Sequence, residues 1–319
     1  MTRRAPLPAA ARAIRSGDRR VLARAISQVE DRDPAAVAIS RALFPRTGRA
    51  PVIGITGPLG VGKSSLINLL VNRLRALDRT VAVIAVDPSS PFSGGSVLGD
   101  RIRFDRSAHD TGVFFRSMAS RGEEGGIAAA TREVARLMDA AGFDVVLVET
   151  VGSGQVDLAI RDVASTRVVV LVPHLGDEVQ TLKAGLFEIA DVFCVNKSDL
   201  PGAELAERDL RELVHLGARS GWTPSVVATS TNPATGIDEL WTAIEAHERF
   251  LDQSGQRAAD ERRRVAVEIV ERVRARIGDE LTARLEREPR LRALVDRVVA
   301  RELDPESAAE RVRRERRAR

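Results

Sequence analysis

Eight consecutive residues, Gly57-Pro58-Leu59-Gly60-Val61-Gly62-Lys63-Ser64, have types and spacing suited to holding phosphate. They match G-x-x-x-x-G-K-[ST], in which glycines let backbone N–H groups curl around phosphate oxygens. The positive end of a following helix adds to that attraction. In this pattern Lys63 reaches the β- and γ-phosphates and the Ser64 hydroxyl ligates Mg²⁺, with Ser65 next in the first helical turn. The context strengthens the match, because a short apolar run, Val52–Thr56, precedes the loop and a helical pattern follows it.

Such a loop does not choose between ATP and GTP. That choice rests on Asn196-Lys197-Ser198-Asp199, which follows the apolar run Val192–Val195. An aspartate there accepts from both guanine N1–H and the exocyclic amine, and adenine has no such pair of donors. Asn196 reaches the other edge of the purine, and the Lys197 stem covers the ring face. A second base-contacting loop is placed near Ala228-Thr229-Ser230, with Ser230 as its candidate residue; an ordinary polar turn reads equally well there.

Acidic residues stand at further strand ends and loops: Asp87 after Val81–Val86, Glu149 after Val145–Val148, and Asp100 after Gly94-Gly95-Ser96. Ligand-binding groups of a doubly wound fold lie at the carboxyl ends of its strands. Ser64, Asp87, Asp100 and Glu149 are therefore the candidate Mg²⁺ ligands, directly or through water. With Lys63, the same three acids are the catalytic candidates, and Asp87 or Asp100 is expected to orient the attacking water. Gly152 is placed to turn its N–H toward the γ-phosphate.

The elements that must position these groups separate into three regions. Residues 1–48 read as a helical extension, with Asp18 capping a segment of Val21, Leu22, Ala25, Ile26 and Val29, and Asp33-Pro34 starting another. Residues 49–252 alternate strand, glycine-rich turn and helix. The expected strands are Val52–Thr56, Val81–Val86, Val113–Arg116, Val145–Glu149, Val168–Val172, Val192–Asn196 and Ser225–Ala228. They are short and continuously apolar, as strands covered on both faces of a parallel sheet should be. Helices are expected over Ser64–Leu77, Gly126–Ala140, Glu178–Ile189 and Ala203–Leu216. The fold class is therefore α/β, a P-loop NTPase with a mostly parallel central sheet flanked by helices and extended by helices at both ends. Residues 253–319 carry a narrow stripe, Val265, Ile269, Val273, Ile277, Leu281 and Leu285, on an arginine- and glutamate-rich helix. A stripe of that kind folds back on the sheet region or pairs with a second copy.

Composition removes several function classes. No apolar stretch approaches the ~18–20 residues of a membrane span, and the amino terminus does not have the pattern of a signal peptide. The single cysteine, Cys194, makes no internal disulfide and reads as a packed core thiol, in keeping with a reducing cytoplasm. The net charge is +4, and residues 311–319 supply much of the excess; that tail reads as a solvated, frayed end. Aromatics make up 3% of the chain and tyrosine is absent, so nucleic acid is not an expected partner.

Longer strings resemble one family. Residues 86–101 (Val86-Asp87-Pro88-Ser89-Ser90-Pro91-Phe92-Ser93-Gly94-Gly95-Ser96-Val97-Leu98-Gly99-Asp100-Arg101) look like a MeaB/ArgK signature. So do Arg116–Gly122, Glu149–Gly152 and Gly176-Asp177-Glu178-Val179-Gln180. The resemblance implies a GTPase chaperone of an adenosylcobalamin-dependent acyl-CoA mutase of the methylmalonyl-CoA mutase type, one that gates cofactor loading and protects the mutase. It also implies homodimers formed through the helical extensions, and switch regions over 87–106, 152–162 and 176–183. Gln155, Gln180 and Lys183 fall in these switches as partner-facing residues, although Lys183 reads equally as a solvated helix lysine. Several residues depart from the family pattern: Glu123-Glu124 replaces a usual histidine, Ser153 and Val156 alter the G-V-G-Q-S-E string, and Ser165 stands where aspartate is common. These changes suggest a relative serving a different mutase, such as one acting on 2-hydroxyisobutyryl-CoA. A metallochaperone GTPase is the alternative, but it calls for clustered metal ligands, and this chain has four scattered histidines and one cysteine.

Overall fold

A computed structural model describes residues 7–87, 110–119, 124–150, 160–173, 186–217 and 221–317. Contacts divide the chain into two units, residues 1–258 and 259–319. In the first, seven strands form one sheet: β1 (Val52–Thr56), β2 (Val81–Asp87), β3 (Val113–Ala119), β4 (Val145–Thr150), β5 (Thr166–Leu171), β6 (Val192–Val195) and β7 (Ser225–Ala228). Their order is β3-β2-β4-β1-β5-β6-β7, and all six pairings are parallel. Parallel strands need crossovers that cover both faces, so they are apolar along their length; β4 and β6 are buried at every position.

The helices of this unit are α1 (Ala9–Arg15), α2 (Arg19–Glu30), α3 (Pro34–Leu43), α4 (Lys63–Ala76), α5 (Glu124–Ala141), α6 (Leu186–Ile189), α7 (Ala203–Gly217) and α8 (Ile237–Gln253). One core joins Leu66, Leu70 and Leu74 of α4 and Leu240 and Ile244 of α8 to Ile53, Val83 and Leu147 of the sheet. A second joins Ile14, Leu22, Ile26 and Leu43 of α1–α3 and Val134 and Met138 of α5 to Ile84, Val146 and Val148. The alternation of strand residues between the two clusters is the period-two pleat of a sheet packed on both sides.

The caps read from sequence are present. Asp18 accepts from the Arg20 and Val21 amides at 3.0 Å, and Asp33 accepts from Ala35 at 2.8 Å with Pro34 at the first helical position. Two arginine contacts, not foreseen, anchor the amino-terminal helices to the sheet edge. Arg19 donates to the Val113 carbonyl at 2.6 Å, and Arg116 donates to Ser27 Oγ at 3.0 Å and pairs with Glu30. Asp139 of α5 then accepts from the Gly48, Arg49 and Ala50 amides, which fixes the chain where it enters β1.

Several boundaries moved. β5 begins at Thr166, two residues before the expected start, because Thr166 pairs with Ile53 in register. β6 stops at Val195, which frees Asn196 to turn toward the phosphate loop. Of the helix expected over Glu178–Ile189, only Leu186–Ile189 lies among the described residues. Helix α8 and the two-stranded hairpin of Ser230–Thr231 with Ala234–Thr235 were not anticipated.

The second unit is helical. The long helix α9 (Gln256–Arg287) leads into it, followed by α10 (Pro289–Val299) and α11 (Pro305–Arg317). Pro289 occupies the first turn of α10, where its missing N–H removes nothing. On α9 the ion pair Glu268–Arg272 is closed at 2.7 Å, while Val267, Ile269, Val270 and Val273 remain exposed. The arginine-rich tail, expected to fray, is helical to Arg317, and Arg314 reaches back one turn to Glu310 at 3.2 Å. Among the described residues no helix is long and apolar enough to cross a membrane.

Candidate functional site

The site is assembled at the carboxyl ends of the central strands. β1 delivers the chain into the loop Gly57–Gly62, and α4 begins at Lys63. Gly57 has φ +142°, and a Cβ there would lie 2.2 Å from the Val170 carbonyl oxygen of β5, so only glycine lets the loop leave the sheet this closely. No side chain caps α4 at Gly62, and its first turn holds no acidic residue. The helix therefore presents its positive end, with the amides of Lys63, Ser64 and Ser65, to the loop.

Lys63 is 6% exposed and is folded into the loop, where Nζ donates to the carbonyls of Gly57 at 2.7 Å and Pro58 at 2.9 Å. Ser64 Oγ donates to Glu149 Oε1 at 2.6 Å, so the two candidate metal ligands meet. Glu149 is buried at the end of β4, beside Thr150, whose hydroxyl bonds Thr56 Oγ1 at 2.9 Å and ties the ends of β4 and β1 together. Asp87 ends β2, and the register Val86↔Thr150 places its backbone at the same edge of the sheet. The Asp87 side chain lies outside the described residues, as do Asp100, Gly152, Gln155, Gln180 and Lys183. Of the loop's apolar members, Val61 is buried and Leu59 is 78% exposed.

The tetrapeptide Asn196–Asp199, expected from sequence to read the base, sits against this loop. Asn196, fully buried, donates its backbone amide to the Leu171 carbonyl at the end of β5 (2.8 Å) and its Nδ2 to the Val61 carbonyl at 2.7 Å. Lys197, with φ +58°, lays its side chain across to the Gly60 carbonyl at 2.9 Å. Asp199 is exposed, and its Oδ1 accepts from Ser230 Oγ at 2.7 Å. The Ala228–Ser230 segment is thus joined to the base loop. Thr229 adds a second side-chain contact, to Asn196 Oδ1 at 3.1 Å, and a backbone contact, from the Ser198 amide at 2.9 Å.

Sequence reasoning placed Ser230 here but passed over Thr229, Thr56 and Thr150. Their only signal was a polar residue at the end of an apolar strand, which many strands share. Cys194 is fully buried, as expected of a core thiol; desolvation pushes it up to about 12, so it stays protonated and is no nucleophile. His247 lies elsewhere, where β5 and β6 begin. It is hydrogen-bonded to Thr166 at 2.8 Å and 3.4 Å from Asp191, and burial pushes its pKa down against the pull of Asp191 and Glu248.

Comparison with known proteins agrees with this geometry. The profile of the family described as methylmalonyl Co-A mutase-associated GTPase MeaB matches residues 22–286. A Pyrococcus abyssi relative named as a GTPase is 44% identical over 306 residues, covering 95% of this chain and 94% of its own. GTPase ArgK of Escherichia coli is 37% identical over 265 residues, 80% of each chain. The mouse mitochondrial methylmalonic aciduria type A homolog is 34% identical over 76% of this chain and 63% of its own. A crystal structure of an LAO/AO transport system kinase, 27% identical, superposes with a TM-score of 0.72 over 98% of both chains. Taken with the phosphate loop and base loop joined through Asn196, these matches show that the chain belongs to the MeaB family of P-loop GTPases and hydrolyses GTP.

Proposed function

We propose that this GTPase serves an adenosylcobalamin-dependent acyl-CoA mutase as a chaperone, gating cofactor loading and protecting the loaded enzyme in the cytoplasm. The observation that carries the reading is the family match over residues 22–286, whose description names association with a methylmalonyl-CoA mutase. The departures at Glu123-Glu124, Ser153 and Val156 leave room for a related mutase, such as one acting on 2-hydroxyisobutyryl-CoA.

In this reading the residues divide the work of phosphoryl transfer, which is mostly positioning and neutralisation of charge. Backbone amides from Gly57 to Ser65 hold the phosphates, and Lys63 leaves its carbonyl partners to meet the β- and γ-oxygens. Asn196, Lys197, Asp199 and Ser230 hold guanine. Ser64 Oγ and Glu149 Oε1 are hard oxygens 2.6 Å apart, a donor set that suits Mg²⁺ completed by phosphate oxygens and water. If held there, the ion would supply positive charge that offsets the negative charge of the phosphates. Asp87, Asp100 and Gly152 are assigned to the γ-phosphate side of the site, one of the acids orienting water. Without a partner to order the switches, turnover should be slow.

The partner test is GTP turnover with and without each B₁₂-dependent mutase of the same cell. The cognate mutase should raise turnover and tighten GTP relative to GDP, by linkage, about fivefold to hundredfold. Lys183→Ala and Gln180→Ala should blunt that coupling while GDP affinity holds. If no such mutase binds or alters turnover, the chaperone reading is lost and the GTPase remains.

The same reading places self-association in the helical carboxyl-terminal unit. Val267, Ile269, Val270 and Val273 are exposed on α9, a cost in water that a second copy would relieve. Ile269→Arg with Val273→Arg should give a monomer in light scattering that binds GDP as before. A double variant that remains dimeric would move the interface elsewhere.

A further inference from the structure

At the amino ends of β5 and β6, away from the nucleotide loops, buried polar side chains gather around His247 of α8, and the position of each proton can be deduced. Glu248 pairs with Arg257, in the first turn of α9, at 2.8 Å, and as a carboxylate it only accepts. Thr166 Oγ1 lies 2.5 Å from Glu248 Oε1, so the threonine gives its one proton there. Its oxygen is then an acceptor toward His247 Nδ1, 2.8 Å away, and Nδ1 carries the ring proton. Nε2 is left facing Asp191 Oδ1 at 3.4 Å. That carboxylate is already served by Arg167, through its amide at 2.8 Å and its guanidinium at 2.6 and 2.7 Å.

Threonine, imidazole and carboxylate in a row resemble a nucleophile, a base and its orienting acid. Burial removes that reading, since Thr166, His247 and Asp191 are 0, 2 and 6% exposed and no substrate reaches them. The rings of Trp222 and Phe250, 4.9 and 6.2 Å from the imidazole, add to the cover. Among the described residues, the charged groups around the ring are Asp191 ahead of β6, Arg167 on β5, Glu248 on α8 and Arg257 on α9, with Asp252 beyond Arg257. Each arginine is paired with a carboxylate, so little net charge is left to hold a second proton on the ring. Desolvation therefore outweighs the pull of Asp191 and Glu248 and keeps the His247 pKa below its ordinary value.

We infer that His247 is an acid-sensitive latch: neutral, it pins the end of α8 and the root of α9 to the sheet through Thr166 and Glu248, and proton uptake releases them. A charged Nε2–H has only Asp191 to turn to, and Arg167 already fills that carboxylate. Opening relieves the conflict, because a hydrated ring binds its proton at the ordinary value of about 6.5. The ring holds its proton less firmly when closed than when open. The latch therefore contributes fully above pH ~6.5 and is lost as pH falls below it. One proton is taken up per opening, so the opening equilibrium rises by up to about tenfold per pH unit in that range. What loosens is the segment leading into α9, the helix whose apolar stripe is exposed.

The test is hydrogen exchange on the full-length protein between about pH 7.5 and 5.5, corrected for the intrinsic rate, comparing residues 244–258 with residues 66–74 of α4. In wild type, protection of 244–258 should fall by up to about tenfold more than that of α4 for each pH unit below ~6.5. His247→Asn places an NH₂ where Nδ1 donates to Thr166 and cannot titrate, so in this variant the two segments should fall in parallel. Parallel falls in wild type overturn the latch. So does a variant that keeps the excess fall, since another group would then be titrating. If the variant does not fold, nitrogen NMR of wild type labelled at histidine decides. The buried ring, recognised by slow exchange of its N–H with water, should be the neutral Nδ1–H tautomer at pH ~7 and take its second proton below about 6.5. An Nε2–H tautomer, or a ring charged at neutral pH, overturns the proposal.

Discussion

Lys63→Ala should reduce GTP turnover at saturating nucleotide by at least ~10²-fold, the scale seen when one preorganised donor to developing charge is removed. Phosphoryl transfer builds negative charge on oxygens that Lys63 is placed to reach, and the loop offers no second cation. The ammonium is already desolvated, 6% exposed and held between the Gly57 and Pro58 carbonyls at 2.7 and 2.9 Å. Moving it onto phosphate exchanges two neutral acceptors for charged ones at little cost in reorganisation. Those bonds also brace the loop, so affinity should fall too, and turnover must be read at saturation to separate the effects. Single-turnover phosphate release with Mg²⁺ is the measurement. A variant with near-normal kcat would overturn the assignment of the loop.

The elements carrying this chemistry were readable because their signals are local. Five apolar residues, four glycines and Lys63-Ser64 lie within residues 52–64, and each acts on its neighbours. The caps at Asp18 and Asp33 were readable for the same reason, since their partners are two or three residues away. Contacts that depend on the assembled sheet were not. Ser64 meets Glu149 across 85 residues and Asn196 meets Val61 across 135; the sequence supplied their types but not their meeting.

The misplaced start of β5 has a related cause. Thr166 and Arg167 look unsuited to a buried strand, yet each is satisfied from far along the chain. Thr166 bonds His247 and Glu248, and Arg167 pairs with Asp191 through two bonds of 2.6 and 2.7 Å. A polar residue is tolerated in a core when its partners are buried with it, and no window along the sequence shows that. The tail erred in the opposite direction, where a run of arginines suggested fraying. Pairing with Glu310 one turn away is among the contacts that support a helix there.

Asp199→Ala should weaken GDP and GTP alike by about 2–3 kcal/mol, or ~30- to 150-fold in Kd, the scale of two hydrogen bonds to a charged acceptor. Folding should survive, because Asp199 is exposed and its described side-chain partner is Ser230. That serine donates to Oδ1 at 2.7 Å, which orients the carboxylate before the base arrives. A loss of affinity alone would not identify the group Asp199 recognises, so a second variant is needed. Asp199→Asn replaces one accepting oxygen by a donating NH₂. Xanthine carries a carbonyl where guanine carries its amine, so this variant should lose GDP and gain xanthosine diphosphate. Ser230 can still donate to the remaining amide oxygen, which turns the new NH₂ toward the base. Calorimetry with GDP, XDP and ADP on wild type and both variants reads the exchange directly. Wild-type protein that binds ADP as tightly as GDP, or an Asp199→Asn protein that keeps its preference for GDP over XDP, would remove Asp199 from the base site.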